Sequence, residues 1–144
     1  MLVDVTTEIL INRPRESVAA YAADPDNVPA WYKNIKSVEW RTAPAVAVGS
    51  KVAFVAHFLG KRLAYTYQIV DNVPGEKMVM RTEEGPFAME TTYTWESVPA
   101  GTRMKLRNRG TPTGFSLLIA PFMKMAMRRA NQKDLALLKQ LLER

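Results

Sequence analysis

Residues 120–142 read APFMKMAMRRANQKDLALLKQLL, and this stretch decides the fold. Its apolar residues recur at helical spacing, with Lys, Arg and Gln on the opposite side. These apolar residues are Met123, Met127, Leu135, Leu138 and Leu142. At about 1.5 Å per residue the helix is about 33 Å long, which is enough to cross a sheet. We therefore predict a long C-terminal helix that covers one face of a sheet.

Most of the chain before this helix has a period of two. Residues 3–11 alternate apolar and polar side chains and form a predicted first strand. Residues 15–23 form a short amphipathic helix after Pro14, and residues 27–32 form another turn or two. Six more strands are predicted between breaks rich in Gly, Pro, Asp and Asn. They cover residues 35–42, 50–58, 62–71, 77–83, 89–98 and 102–110.

The order of these elements predicts the fold class. Short connections between successive strands imply antiparallel neighbours. Strands that precede a single long helix indicate an α+β fold with the helix on one face of the sheet. A length of 144 residues fits one domain, so we predict one domain over residues 1–144 with about seven strands.

Composition excludes several kinds of site. The chain has no cysteine, so disulfides and thiolate chemistry are absent. It has one histidine, so a histidine-based metal site is not expected, and we predict no metal and no cofactor. The first residues carry acids and no apolar h-region, and no run of about 18 apolar residues follows. We therefore expect a cytoplasmic protein without a membrane span.

The charge balance bears on possible partners. Lys and Arg total 20 against 14 Asp and Glu, a formal net charge of +6. Nucleic-acid recognition needs a clustered basic footprint, whereas the basic residues here are scattered. The densest set is Arg103, Lys105, Arg107 and Arg109, which the pairing of two strands explains below. We therefore predict no nucleic-acid partner.

The turn at Pro99-Ala100-Gly101 sets the register of the last two strands. Pairing Ser97 with Thr102 gives one apolar face and one charge-matched face. The apolar face pairs Trp95 with Met104, Tyr93 with Leu106 and Thr91 with Asn108. The other face pairs Glu96 with Arg103 and Glu90 with Arg109, and sets Lys105 and Arg107 opposite Thr94 and Thr92. The basic residues of this face are predicted to face solvent.

The turn at Gly60-Lys61 gives a second register. It pairs Phe58 with Leu63 and Phe54 with Tyr67, and turns His57 to the outer face. A Ser-His-Asp triad needs its histidine inside a cleft, so this chemistry is disfavoured.

The strand at residues 77–83 has two possible orientations. The apolar pattern turns Met78 and Met80 inward. The opposite orientation would put Arg81 and Glu83 in a cavity, where an arginine could meet a ligand carboxylate. The apolar orientation is favoured.

The predicted inner face of the sheet carries many aromatic side chains, and several inward side chains end in a polar group. A packed core would also place aromatic side chains inward, but buried polar tips need partners, and many convergent ones are typical of a ligand pocket. The candidate cavity residues are Trp31, Trp40, Phe54, Phe58, Tyr65, Tyr67, Arg81, Tyr93, Trp95, Met104, Leu106, Asn108, Met127 and Asn131. Methionines at 89, 104, 123, 125 and 127 would form adjustable walls.

Short motifs in order along the whole chain carry a family resemblance. They are INRPRESV at 11–18, DPDNVPAW at 24–31, VGS at 48–50, GPF at 85–87, YTW at 93–95 and GTR at 101–103. With the closing Leu-rich helix, the chain resembles the polyketide cyclase/dehydrase and lipid-transport group of the START-like, Bet v 1-like (SRPBCC) superfamily. The resemblance implies the helix-grip fold, a curved antiparallel sheet around the long helix. These are fold positions and do not specify a function.

The resemblance and the inward faces suggest three function classes. The first is a binder or carrier of a small hydrophobic or amphipathic ligand, with Trp31, the 85–87 loop and residues 115–119 shaping the mouth of its cavity. The second is a cyclase or dehydratase acting on a polyketide-like or aromatic substrate. An inward carboxylate near a tyrosine would favour this enzyme. The third is contact of residues 115–127 with a membrane surface, which packing of the helix on the sheet disfavours. The oligomeric state is not indicated.

Overall fold

The computed structural model describes residues 3–58, 60–85, 88–111 and 118–144, without the side chain of Phe58. The strands are β1 (Val3–Ile11), β2 (Ile35–Trp40), β3 (Lys51–Phe58), β4 (Lys61–Val73), β5 (Lys77–Glu84), β6 (Ala88–Val98) and β7 (Gly101–Thr111). The helices are α1 (Arg15–Ala23), α2 (Val28–Trp31) and α3 (Ala120–Leu142), and a 3-10 turn covers Pro25–Asn27.

The described strands form one seven-stranded sheet in the order β1-β7-β6-β5-β4-β3-β2, with every neighbouring pair antiparallel. Chain neighbours from β2 to β7 are sheet neighbours, whereas β1 crosses over to pair with β7. The two short helices follow β1, and α3 closes the chain. The predicted fold class, an α+β fold with a sheet curved around a long helix, is confirmed.

Irregular pairing bends the sheet. The register shifts between Ile35 and Ser37 in β2, and twice in β4, between Thr66 and Tyr67 and between Ile69 and Asp71. An extra residue on one strand of a pair bends that strand and increases its twist. These bulges lie in the half of the sheet farthest from β1, so this half curves around the inner face.

The helix α3 covers the concave face with the predicted stripe. Met123, Met127, Leu135 and Leu138 are buried, and the same side of the helix also carries Asn131 and Asp134, both buried. Leu135 and Leu138 pack into a core shared with α1 and the inner faces of several strands. Among the described residues, no helix combines the length and apolar composition needed to cross a bilayer.

The predicted register of the β6–β7 hairpin is confirmed. Ser97 pairs with Thr102, and every further pair follows from it. On the outer face Arg103 contacts Glu8 and Glu96, and Arg107 makes two hydrogen bonds to Asp4. These arginines are therefore neutralised by acids of neighbouring strands, as the charge-matched face predicted.

The predicted register of the β3–β4 hairpin is wrong by two residues. Phe58 pairs with Lys61 rather than Leu63, and Phe54 pairs with Tyr65 rather than Tyr67. The connection is a tight two-residue hairpin with Gly60 at φ +76°, where we had predicted a longer turn. A slip of two residues keeps each side chain on its face, so His57 is exposed on the outer face as predicted.

The orientation of β5 follows the apolar pattern. Met78 and Met80 are buried, and Arg81 lies on the outer face with 62% of its side chain exposed. Its Nε donates to Glu90, with N and O 2.7 Å apart. Arg81 was among the predicted cavity residues, and that prediction is wrong because alternation along β5 cannot turn both Met80 and Arg81 inward.

The turn glycines give a test of this fold. Gly101 has φ +129°, and a Cβ built there would collide with the carbonyl oxygen of Ile11. Gly75 has φ +80°, and its Cβ would meet nothing within 4 Å. Gly101→Ala should therefore lower the free energy of unfolding by about 2 kcal/mol or more, and Gly75→Ala by about 1 kcal/mol from strain alone. Urea unfolding of both variants measures the difference, and equal losses would contradict the close approach of β7 to residues 11–13.

Candidate functional site

A cavity of about 130 Å³ lies between the inner face of the sheet and α3. Several of the predicted site residues line it, and they come from β3, β4, β6, β7 and α3. They are Phe54, Tyr65, Tyr67, Tyr93, Asn108, Met127 and Asn131. The other lining residues are Val28, Tyr32, Asn34, Ile35, Ala56, Leu63, Met80, Met89, Thr91, Met123, Ala130 and Asp134. Of these, Met80, Met89, Thr91 and Met123 are predicted from the sequence to face inward.

Four predicted cavity residues belong instead to the solid core. Trp31, Trp95, Met104 and Leu106 are 0–4% exposed and pack in the core that includes α1 and the C-terminal half of α3. Here the large side chains of α3 and the extra layer of α1 fill the space over the sheet. Sequence alternation assigns a side chain to the inner face, but whether that space is filled depends on what lies opposite.

Three further predictions have other outcomes. Trp40 is half-buried, and its Nε1 donates to Asp26 Oδ1 at 2.9 Å, so it is held at the sheet edge outside the cavity. The Phe58 side chain and residues 86–87 and 115–117 of the predicted mouth lie outside the described residues. Trp31 was also predicted at the mouth, but it is fully buried and cannot form one.

Two groups of polar side chains project into the cavity. Tyr93 Oη donates to Tyr32 Oη at 3.2 Å, and Thr91 Oγ1 donates to Asn108 Oδ1 at 2.6 Å. Burial raises the pKa of Tyr32 and of Tyr93 well above that of free tyrosine. Burial also raises the pKa of Tyr67 to about 12, although a hydrogen bond with Thr91 lowers it. These hydroxyls are therefore neutral at pH 7 and can donate hydrogen bonds.

Asp134 is the buried carboxylate of this cavity, and it was not predicted. The residue is 2% exposed, and the backbone N–H of Lys33 donates to its Oδ1 at 3.0 Å. Burial raises the pKa of Asp134 to about 6, and the Lys33 hydrogen bond and charge oppose this shift. Its charge in turn contributes to the raised pKa of Tyr32 and of Tyr93. The cavity therefore contains the carboxylate near tyrosines that would favour an enzyme.

Asn131 provides an unused hydrogen-bond donor. It is 4% exposed and lines the cavity, and its Nδ2 has no hydrogen-bond partner among the described residues. Leaving a buried polar group unsatisfied costs about 1–3 kcal/mol. A hydrogen-bond acceptor inside the cavity would offset this cost.

The described residues contain no group of three or more His, Cys, Asp or Glu side chains placed to hold a metal ion. Asp134 has no second carboxylate, histidine or cysteine among the cavity-lining residues. The chemical groups of the cavity are therefore one carboxyl group, four tyrosine hydroxyls, one threonine hydroxyl and three asparagine amides.

Comparison with protein families agrees with this arrangement. The model of the family described as polyketide cyclase / dehydrase and lipid transport matches residues 3–143. The chain belongs to this family. No curated protein matches the chain significantly.

Solved structures share the fold of this family member. A protein from Thermus thermophilus superposes with a TM-score of 0.83 at 21% identity, covering 95% of this chain and 94% of its own. The Zhui aromatase/cyclase from a Streptomyces species gives a TM-score of 0.79 at 18% identity, covering 98% and 93%. A START superfamily protein from Mycobacterium smegmatis gives 0.78 at 12% identity, covering 97% of each chain. At these identities the likeness establishes the fold. The polyketide cyclase/dehydrase and lipid-transport group predicted from sequence is confirmed by the family model.

The raised pKa of Asp134 predicts a pH-dependent stability. Because the folded-state pKa of about 6 exceeds the ordinary value of 3.8, the contribution of Asp134 is fully present below about pH 4 and is lost as the pH rises through 6. Asp134→Asn cannot ionise. It should therefore gain up to about 3 kcal/mol relative to the parent between pH 4 and pH 7.5, measured by urea unfolding.

Asp71→Asn is the matched control for this measurement. The Lys77 hydrogen bond lowers the pKa of Asp71, so its contribution is present above the unfolded pKa and is lost as the pH falls. Both pKa values of Asp71, folded and unfolded, therefore lie at or below 3.8, so between pH 4 and pH 7.5 the Asp71→Asn variant should change little relative to the parent. If Asp134→Asn follows the parent at both pH values, the carboxyl group is not desolvated in the folded protein.

Proposed function

We propose that this protein binds and carries a small hydrophobic or amphipathic molecule in the cavity between the sheet and α3. The observation that carries the proposal is the set of mostly apolar residues that line the cavity around the unpartnered amide of Asn131. Ligand pockets are lined by apolar and aromatic side chains with a few polar groups that fix orientation. The indole N–H groups of Trp31 and Trp95 in the solid core also have no partner among the described residues. The Asn131 amide differs from them because it lines an empty volume, where a ligand acceptor could reach it.

The size of the cavity limits what it holds. An apolar cavity of about 150 Å³ holds one benzene-sized molecule, so the volume of about 130 Å³ suits one ring or a short alkyl segment. Met80, Met89, Met123 and Met127 line it. Methionine side chains adjust to irregular shapes, so they can move to admit a somewhat larger group.

A neutral fluorescent probe tests the proposal. We expect 2-naphthol to bind the parent protein with one-to-one stoichiometry. Ala56 lines the cavity from β3, and Ala56→Phe should fill the space and weaken probe binding by about tenfold or more. The melting temperature should stay within a few degrees, because the added ring occupies empty volume. Fluorescence titration and thermal unfolding give the two readouts.

Ala53→Phe is the matched control, because Ala53 lies on the opposite face of the same strand. It should leave probe affinity unchanged. The proposal is wrong if the parent does not bind 2-naphthol and Ala56→Phe is strongly destabilised, since overpacking a solid core costs about 1–3 kcal/mol. Leu106 is unsuitable for such a filling mutation, because it lies in the solid core.

A second candidate function is cyclisation or dehydration of a polyketide-like substrate, and Asp134 is the observation that favours it. General acid–base catalysis is most effective with a pKa near the working pH. The pKa of about 6 makes Asp134 mostly ionised at pH 7, while the buried tyrosines stay protonated. Groups whose environments separate their pKa values in this way suit base and acid roles.

In such a reaction Asp134 would remove a proton from a carbon between two carbonyl groups. The carbanion would attack a ketone carbon of the same molecule and form a carbon–carbon bond. The resulting alkoxide would take a proton from Tyr93, which is hydrogen-bonded to Tyr32. In the dehydration, the Tyr93 phenolate would take the remaining proton of the attacking carbon while Asp134 gives its proton to the departing hydroxyl group. Water would leave, a carbon–carbon double bond would form in the ring, and both residues would return to their starting protonation states.

A poly-β-keto thioester tests this candidate. The parent should convert it to a cyclic product faster than buffer does, with a rate that rises as the pH increases through about 6. Asp134→Asn should lower the rate at least about a hundredfold, while 2-naphthol affinity is kept. Product formation is followed by liquid chromatography with mass detection. Equal rates for parent and variant would exclude Asp134 as the base.

A further inference from the structure

We propose that the ligand of this cavity is an anionic amphiphile, whose apolar part occupies the cavity and whose charged group lies on Lys33, Arg129 and Lys133 at the mouth. This proposal rests on the proposed binding function and names the class of its ligand. It also locates the mouth between the segment that joins α2 to β2 and the outer side of α3.

A surface groove adjoins the cavity at this position. The groove has a volume of about 360 Å³ and runs between residues 33–34 and α3. Asn34, Ala130 and Asp134 line both the groove and the cavity. The two volumes therefore adjoin at these three residues, of which Ala130 has the smallest side chain. A ligand that extends past these residues would reach the groove directly.

The rim of the groove is positively charged. Lys33, Arg129 and Lys133 line it, and none of the three forms a salt bridge with a described carboxylate. Residues 120–133 of α3 include four basic residues and no acidic one. The outer face of the sheet differs, because Arg103, Arg107 and Arg109 there are paired with acids. Unpaired cations beside an apolar cavity favour an anionic group at that point.

Among the described residues that line the groove, Asp134 is the one carboxylate. Its Oδ1 accepts the Lys33 N–H, and the residue also lines the cavity. Its single negative charge does not cancel the three positive charges of the rim, and its raised pKa reduces that charge further near pH 6. The rim therefore keeps a net positive charge.

Two apolar side chains extend the path outward. Phe122 and Met125 line the groove and are 59% and 63% exposed. Single exposed apolar side chains are ordinary, but apolar side chains that line one groove together are typical of a binding site. Phe122 and Met125 can contact the methylene groups of a ligand whose alkyl chain is longer than the cavity. The groove thus places exposed apolar side chains next to positively charged ones, which matches the apolar chain and the charged head group of an anionic amphiphile.

Paired ligands that differ only in the head group test the proposal. Decanoate and decan-1-ol compete against 2-naphthol for the parent protein at pH 7.5. We expect decanoate to bind about tenfold more tightly or better, since each hydrogen-bonded ion pair adds affinity. The triple variant Lys33→Gln, Arg129→Gln, Lys133→Gln should bring decanoate down to the affinity of decan-1-ol. Its 2-naphthol and decan-1-ol affinities should stay unchanged.

A second triple variant is the matched control. Arg62→Gln, Lys105→Gln, Arg144→Gln removes the same number of positive charges from exposed positions outside the groove. It should keep the preference for decanoate. If both triple variants lose the preference equally, the effect comes from net charge and the rim assignment is overturned.

The remaining outcomes separate this proposal from the function on which it rests. If 2-naphthol and decan-1-ol bind but decanoate is no tighter, the cavity function stands and the anionic ligand class is wrong. If no probe binds the parent, both fail. If the rim variant keeps its decanoate affinity but no longer sediments with anionic phosphatidylglycerol vesicles, the groove docks on a membrane surface and the proposal is overturned.

Discussion

Alternate residues of the sheet must be removed from water, and α3 covers that face along its whole length. The side chains at each turn of α3 therefore decide whether the space over the inner face is filled or left as a cavity. Leu135 and Leu138, backed by α1, fill the space and form a solid core. Nearer its start, Met123, Met127, Ala130 and Asn131 leave a cavity over the same sheet. One helix thus divides the interior into a packed part and an open part.

Burial governs the chemistry of the open part. Removing a carboxyl or a phenol from water disfavours its charged form, so Asp134 and the tyrosines all have raised pKa values. Their starting pKa values differ by about six units, so burial leaves the carboxyl near neutrality and the phenols far above it. The same physical effect therefore separates a group that can accept a proton at pH 7 from groups that can donate hydrogen bonds.

The fold was predictable because its signals are local. Period-two segments, turn residues and a 3.6-residue stripe defined the strands and helices, and the Pro99-Ala100-Gly101 turn defined the β6–β7 register. The β3–β4 register failed because its turn allows two lengths, and a two-residue slip leaves every face unchanged. Pattern alone cannot detect such an error.

The site was predictable only in part. The alternation of one strand decides whether a side chain faces inward. Whether that side chain lines a cavity depends on how much space the side chains of distant segments fill. Trp95 and Leu106 face inward but lie in the solid core, so their assignment to the cavity was wrong. The sequence pattern does not single out Asp134, because the predicted stripe of α3 consists of apolar residues. Asp134 lies seven residues after Met127 and four before Leu138, and this helical spacing was the signal that could have found it. These cases show that periodicity predicts which face of an element a side chain lies on, but not whether the space next to it is filled.

The pairing of β1 with β7 has a consequence of another kind, for the time course of folding. Thr7 lies directly opposite Leu106, 99 residues away in the chain. Contacts between such distant residues form only after the intervening chain has been ordered, and a high share of them slows folding. We therefore expect β1 to join the sheet late, and the edge of β7 to stay open to other strands until it does.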